Sequence, residues 1–324
     1  MSPDRTAEEL VDVHAHFVTD RYRTAAREAG HQVPDGMPAW PEWSSDTHLA
    51  MMDAHRIRTA VLSVSSPGVH FGDDRAAAAL ARHVNDFAAE LQRSHPDRFR
   101  QFASLPLPDV PAALAELDRA CDDLAAAGVV LESNFAGRYL GDPHFEPLLA
   151  ALDERAAVTF LHPTSPACWS PLTTDWPRPM LEFPFETTRT VTDLIVTGRL
   201  RRFPHIRFVV PHCGGTLPLL ADRIDLFRTS FAPTHEEPRT RELLAQLWYD
   251  LAGTPFPAQV PALAELVGTD HLLYGSDYCF TPPEAVAHQL AGIDAAPAPP
   301  SARDWRTLTS DNARRLLPPK SGQR

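Results

Sequence analysis

The chain reads as an α/β protein, a (β/α)8 barrel of parallel strands wrapped by helices, and two observations predict this. Eight short apolar runs alternate with helical segments or loops, the order of a parallel sheet covered by helices, and eight units are what closes such a sheet into a barrel. Several of the runs also end in histidine or aspartate. The runs are Leu10 to Phe17, Thr59 to Val64, Phe99 to Leu105, Gly128 to Glu132, Val158 to His162, Ile206 to His212, Leu247 to Leu251 and His271 to Asp277.

The first run, Leu10-Val11-Asp12-Val13, leads into His14-Ala15-His16, and residues two apart on a strand project to one face. His31 to Trp43, rich in Pro and Trp, follows. Asp46-Thr47-His48-Leu49 then starts a helix that runs to about His55. A longer helix begins at Asp109, with Leu114, Leu117, Cys121 and Leu124 at helical spacing, and another spans Glu186 to Leu200 with Val191, Leu194 and Ile195 on one side. Between them the fifth run ends in His162, and Pro163 to Pro184 brings Trp169, Trp176 and repeated prolines directly after it. Ala295 to Pro300 is read as a loop before a final helix, Ala302 to Leu317. No repeat or linker divides the chain, so residues 1–324 are expected to form one catalytic barrel domain. Loop insertions are expected at about 18–45 and 163–184, where they would wall or cover a pocket.

Composition narrows the function. With 324 residues, 44% of them hydrophobic, the chain can bury one large core; its net charge of -12 argues against nucleic acid or an anionic membrane as partner and for a small-molecule substrate. No segment looks like a signal peptide or a membrane span, so a cytoplasmic protein is expected. The cysteines Cys121, Cys168, Cys213 and Cys279 are widely spaced and show no Cys-x-x-Cys, so they are read as reduced thiols with packing roles. The single lysine, Lys320, sits in a Pro-rich tail, which excludes a Schiff-base mechanism and leaves arginine as the anion anchor.

Fifteen histidines scattered at random would yield about one His-x-His pair, so His14-x-His16 alone proves little. Its weight comes from His162, His212 and Asp277 at the ends of the fifth, sixth and eighth runs. Three imidazoles and a carboxylate, from His14, His16, His162 and Asp277, are a donor set for divalent zinc or manganese with a position open to water or substrate. His212 then remains for acid/base work.

These motifs, together with His162-Pro163, His212-Cys213-Gly214-Gly215 and Tyr274-Gly275-Ser276-Asp277, resemble the amidohydrolase superfamily, and within it the branch of aminocarboxymuconate-semialdehyde decarboxylase and related non-oxidative decarboxylases. The likeness runs from about Val11 to Leu317. The stretch Trp169 to Thr190, with Pro184-Phe185-Glu186-Thr187-Thr188, is similar to the 6-methylsalicylate decarboxylase type. The resemblance implies a TIM barrel of the metal-dependent amidohydrolase type, with His14, His16, His162 and Asp277 as metal ligands and His212 and Asp277 as catalytic groups. It also implies a homodimer in which Arg223, eleven residues after His212, binds substrate carboxylate in its own subunit or a neighbour's. Read from the helix alone, Arg223 would instead pair with Asp222 or Asp225. Binuclear members carry a carboxylated lysine on the fourth strand; Gly128 to Asn134 has none, so one metal ion is expected.

The activity expected is therefore metal-dependent decarboxylation of an aromatic or conjugated 2-hydroxy or 2-amino carboxylic acid, with Zn2+ or Mn2+ as cofactor. A lactone or amide hydrolase, or a hydratase, would use the same ligands. Trp169, Trp176, Phe183, Phe185 and Arg223 favour the decarboxylase as an aromatic cavity with an anion anchor. A barrel that binds metal without catalysis is the remaining class.

Overall fold

The computed structural model describes residues 9–170, 175–231 and 238–317. Eight parallel strands follow one another around a single sheet in chain order: β1 (Leu10–His16), β2 (Ile57–Ser63), β3 (Phe99–Ser104), β4 (Gly128–Glu132), β5 (Val158–His162), β6 (Arg207–Val210), β7 (Trp248–Asp250) and β8 (Leu272–Leu273). The segment after β8 completes the ring. The Val13 amide donates to the Tyr274 carbonyl at 2.9 Å, and the Asp277 amide donates to the His14 carbonyl at 2.8 Å. β4 and β5 are buried at every position, because helices cover the sheet outside and side chains fill it inside, which accounts for unbroken apolar runs in place of alternation.

The helices are α1 (Asp20–Glu28), α2 (Ser45–His55), α3 (Asp74–Ser94), α4 (Val110–Asp122), α5 (Glu146–Glu154), α6 (Glu182–Val196), α7 (Arg199–Arg202), α8 (Leu217–Phe231), α9 (Thr240–Leu244), α10 (Val260–Val267), α11 (Pro283–Ala295) and α12 (Trp305–Leu316). Inside the barrel Val13, Val61, Phe102, Val130, Phe160, Val209 and Leu273 form one apolar cluster, joined by Ala313, Leu316 and Leu317 at the end of α12. That end is held by two guanidinium groups, Arg100 donating to the Leu317 carbonyl at 2.9 Å and Arg207 to the Leu316 carbonyl at 3.0 Å, positive charge where a helix C-terminus accepts it. The helix end thus stops one mouth of the barrel, and the other mouth, where the strands end, carries the polar groups.

Several boundaries differ from the sequence reading, each for a local reason. β6 stops at Val210 because Pro211 has no amide to donate and His212 and Cys213 both take φ of 54°. β8 stops at Leu273, and Asp277 lies beyond it at φ 58°. α6 starts at Glu182, four residues before the expected start, and ends at Val196, with Gly198 at φ 71° dividing it from α7. α12 begins at Trp305 because the Asp304 side chain caps it, accepting from the Thr307 amide at 2.7 Å. The insertion at 18–45 contains a helix, α1, capped by Thr19, which accepts from the Tyr22 amide at 3.1 Å. The end of the 163–184 insertion is the first turn of α6, and its residues 171–174, like Lys320, lie outside the described residues. The two insertions meet above the open mouth: Asp35 accepts from the Ser165 hydroxyl, which in turn accepts from Arg178 Nε at 2.7 Å. Among the described residues no helix is long and apolar enough to cross a membrane.

The Phe160 ring, fully buried and stacked on Phe102 with centroids 5.7 Å apart, sits at the centre of this interior. Phe160→Ala is expected to lower unfolding free energy by about 3–5 kcal/mol in urea denaturation. Val33→Ala, at an exposed position outside α8, should shift it by under about 0.5 kcal/mol. A Phe160 variant as stable as the Val33 variant would contradict a packed barrel interior.

Candidate metal centre

Alternation along β1 turns His14 and His16 to the same side, and both side chains are fully buried with their Nε2 atoms 3.1 Å apart. Their other nitrogens are already committed. His14 Nδ1 lies 2.9 Å from Asp250 Oδ2 at the end of β7, and His16 Nδ1 lies 3.2 Å from the Ser63 carbonyl at the end of β2. With Nδ1–H donating outward, each ring presents Nε2 to the shared space, where it can bind a metal once that nitrogen carries no proton, the arrangement that prepares an imidazole for a metal. Asp277 closes the group: Oδ1 is 3.4 Å from His14 Nε2 and 3.2 Å from His16 Nε2. His162 joins from β5, its ring centroid 4.8 Å from that of His16. One donor atom from each of His14, His16, His162 and Asp277 falls within 4.8 Å of the others. The sequence reading thus named four residues that the fold brings together.

His212 stands beside them without joining the donor set. Its Nε2 is 3.5 Å from Asp277 Oδ2, and its backbone amide donates to Asp250 Oδ1 at 3.0 Å, so Asp250 orients both His14 and His212. The tight approach explains a glycine: a Cβ on Gly275 would stand 2.7 Å from His14 Cβ and 3.1 Å from Asp250 Cβ, too close for any other residue.

Burial and charge act against each other here. Burial acts to lower His14, but the charges of Asp250 and Asp277 outweigh it and raise His14 to about 10. Burial acts to raise Asp277, but the His14 charge and hydrogen bonds from His14, His16 and His212 hold it well below the usual carboxylate range. His16 is lowered by burial, and His162 is driven well below its ordinary value by burial and by the neighbouring His16 and His14. Two neutral imidazoles, a third between two carboxylates and an ionised aspartate fit a divalent cation, which takes the place of the His14 proton.

A cavity of about 320 Å³ opens on this group, lined by His162, His212 and Asp277 and walled by Met37, Phe183, Phe280 and Gln259. Of the aromatic residues expected at the pocket, only Phe183 reaches it. Trp176 and Phe185 are exposed, and Trp169 lies under the Arg178 guanidinium at 4.0 Å beside a neighbouring cavity. Arg223 is also elsewhere. It projects from α8 beside a separate groove with Leu226, Phe227 and Phe231, its guanidinium 5.0 Å above the Phe227 ring. Asp225, one of its expected partners, is taken by Arg228 and Thr240. Burial pushes the Cys213 and Cys279 thiols up, so neither supplies a thiolate. Asp250 and Glu132 are absent from the sequence-based site, although Glu132 closes the run Gly128 to Glu132 and Asp250 is the last but one residue of Leu247 to Leu251; an acid at or near the end of a barrel strand is the available signal.

An amidohydrolase family model matches residues 11–318. A 6-methylsalicylic acid decarboxylase of Penicillium expansum is 34% identical over 322 residues, covering 96% of this chain and 97% of that one. A crystal structure described as amidohydrolase II superposes with a TM-score of 0.88 at 31% identity over 95% of this chain and 99% of that one. A 2,6-dihydroxybenzoate decarboxylase crystallised with 2,6-dihydroxybenzoate gives 0.80 at 26% identity over 96% and 99%.

The charges of Asp250 and Asp277 raise His14, so a metal ion is expected to compete with a proton for its Nε2. Calorimetric titration of Zn2+ into metal-free protein at pH 7, in buffers of different ionisation enthalpy, should show one ion per chain and about one proton released, with affinity rising with pH. Two ions, or no proton released, would contradict the site as described.

Proposed function

The chain belongs to the amidohydrolase family, and from that premise we propose that it is a metal-dependent, non-oxidative decarboxylase of an aromatic 2-hydroxy carboxylic acid of the salicylate kind. The observation that carries this reading is the buried cluster of three histidines and Asp277 opening, beside His212, on a cavity of about 320 Å³, the scale of a small-ligand pocket. Two 6-methylsalicylic acid decarboxylases match almost the whole length of the chain. The proposed cofactor is one divalent ion, Zn2+ or Mn2+, on His14, His16, His162 and Asp277, in a single cytoplasmic barrel domain.

When bound, that ion supplies positive charge against the substrate carboxylate and its ortho oxygen. The chain's own residues do the rest. Asp277 Oδ2 and His212 Nε2, 3.5 Å apart, form the pair through which a proton reaches the ring carbon that bears the carboxylate. Protonation there interrupts aromaticity; the carbon–carbon bond then breaks, carbon dioxide leaves and the ring electrons return. Phe183 and Phe280 bound the cavity and keep water from the ring. Arg223 is assigned as the carboxylate anchor of a second copy of the chain. It does not line its own subunit's metal cavity, and Leu219, Phe227 and Phe231 leave an exposed apolar face on the same helix, suited to a homodimer.

Carbon dioxide release from a panel of salicylates, including 6-methylsalicylate, tests the reading, with turnover expected for the metal-loaded protein. Lactone or amide hydrolysis without carbon dioxide would contradict it. His212→Ala should keep the metal and lose at least about 10²-fold in turnover. Mixing His212→Ala chains with Arg223→Ala chains should restore activity in hybrid dimers. Normal kinetics in Arg223→Ala would remove that residue from the site.

A further inference from the structure

Of the three histidines at the metal site, two have their outward nitrogen held by a hydrogen bond, His14 by Asp250 and His16 by Ser63. His162 has none made: its Nδ1 is buried and unpartnered. One acceptor faces it. Glu132 is the last residue of β4 and the Cα partner of His162 across the sheet, and its Oε2, itself buried and unpartnered, lies 3.6 Å from His162 Nδ1. On the other edge of the ring, Nε2 lies 3.3 Å from the Ser65 hydroxyl at the wall of the metal cavity.

We infer that Glu132 is a positioning residue for the metal site, its carboxyl oxygen accepting from His162 Nδ1–H so that Nε2 is presented to the ion. The gap exceeds a hydrogen bond by a few tenths of an ångström, and a small turn of the ring toward the cavity closes it. Gly68 packs against the side chain on one side, so closely that a Cβ there would stand 3.0 Å from Glu132 Cγ. A glutamine at position 132 would keep a carbonyl oxygen in the same place.

The inference rests on the metal reading given above, and the test separates the two. Zn2+ affinity is measured by competition with a chromophoric chelator for wild type, Glu132→Gln and Glu132→Leu, and visible absorption is recorded for the Co2+-loaded proteins, whose bands respond to ligand geometry. Glu132→Leu should bind Zn2+ about 10- to 100-fold more weakly, with altered Co2+ bands. Glu132→Gln should stay within about threefold of wild type and keep the bands, and every variant should hold one ion per chain. Should Glu132→Leu not fold, as judged by circular dichroism, Glu132→Ala carries the same comparison. Equal affinity in all three proteins would overturn the inference. An equal loss in the Gln and Leu variants, or a second ion bound only by wild type, would also overturn it by making Glu132 a ligand. Absence of metal binding in wild type would instead refute the metal reading itself.

Discussion

The structure is organised around the burial of His14, His16 and His162 within a few ångströms of one another and of Asp277, which is part-exposed at the cavity floor. Isolated, each ionised group would be heavily penalised there, and an orphaned imidazole nitrogen is unfavourable as well. The fold meets the constraint by giving two of these rings a second partner from another strand end: Asp250 of β7 for His14 and Ser63 of β2 for His16. Parallel strands put all these ends on one side of the sheet, and closure of the ring beside β1 brings the His14 and His16 end close to those of β5 and β7. Gly275 shows the link directly, since the chain that closes the barrel against β1 must pass too near His14 and Asp250 to carry a side chain.

Much of this was legible in the sequence because it depended on periodicity. The eight apolar runs became the eight strands, and the ligands at their ends were visible because a strand places residues two apart on one face. The rest depended on contacts that no spacing encodes. α1 was hidden by a polar sequence, Asp20-Arg21-Tyr22-Arg23, whose signal was the Thr19 cap. His212 and Asp277 look like strand termini, yet both take left-handed backbone just past the sheet, and Pro211 ends β6 before the first of them. Asp250 and Glu132 lie far along the chain from the histidines they face, so their roles follow only from strand order. Composition points to Trp176 and Phe185 as pocket wall, but both face solvent, Phe185 from the outer side of α6 and Trp176 from the loop before it.

The four candidate metal donors lie within a single copy of the barrel, whereas Arg223, the anion anchor implied by the resemblance, lies on α8 beside an exposed apolar face and away from them. Under the proposed function, a second copy of the chain would cover that face and bring its arginine to the site. The two insertions, tied by Asp35, Ser165 and Arg178 above the open mouth, would then set how much of a substrate ring is enclosed.

X-ray absorption at the zinc edge of the Zn2+-loaded protein tests the central claim most directly. The account predicts a first coordination shell of nitrogen and oxygen scatterers alone, at about 2.0–2.2 Å, with the outer-shell pattern of three imidazoles. A sulfur scatterer at about 2.3 Å, or a second zinc nearby, would contradict it.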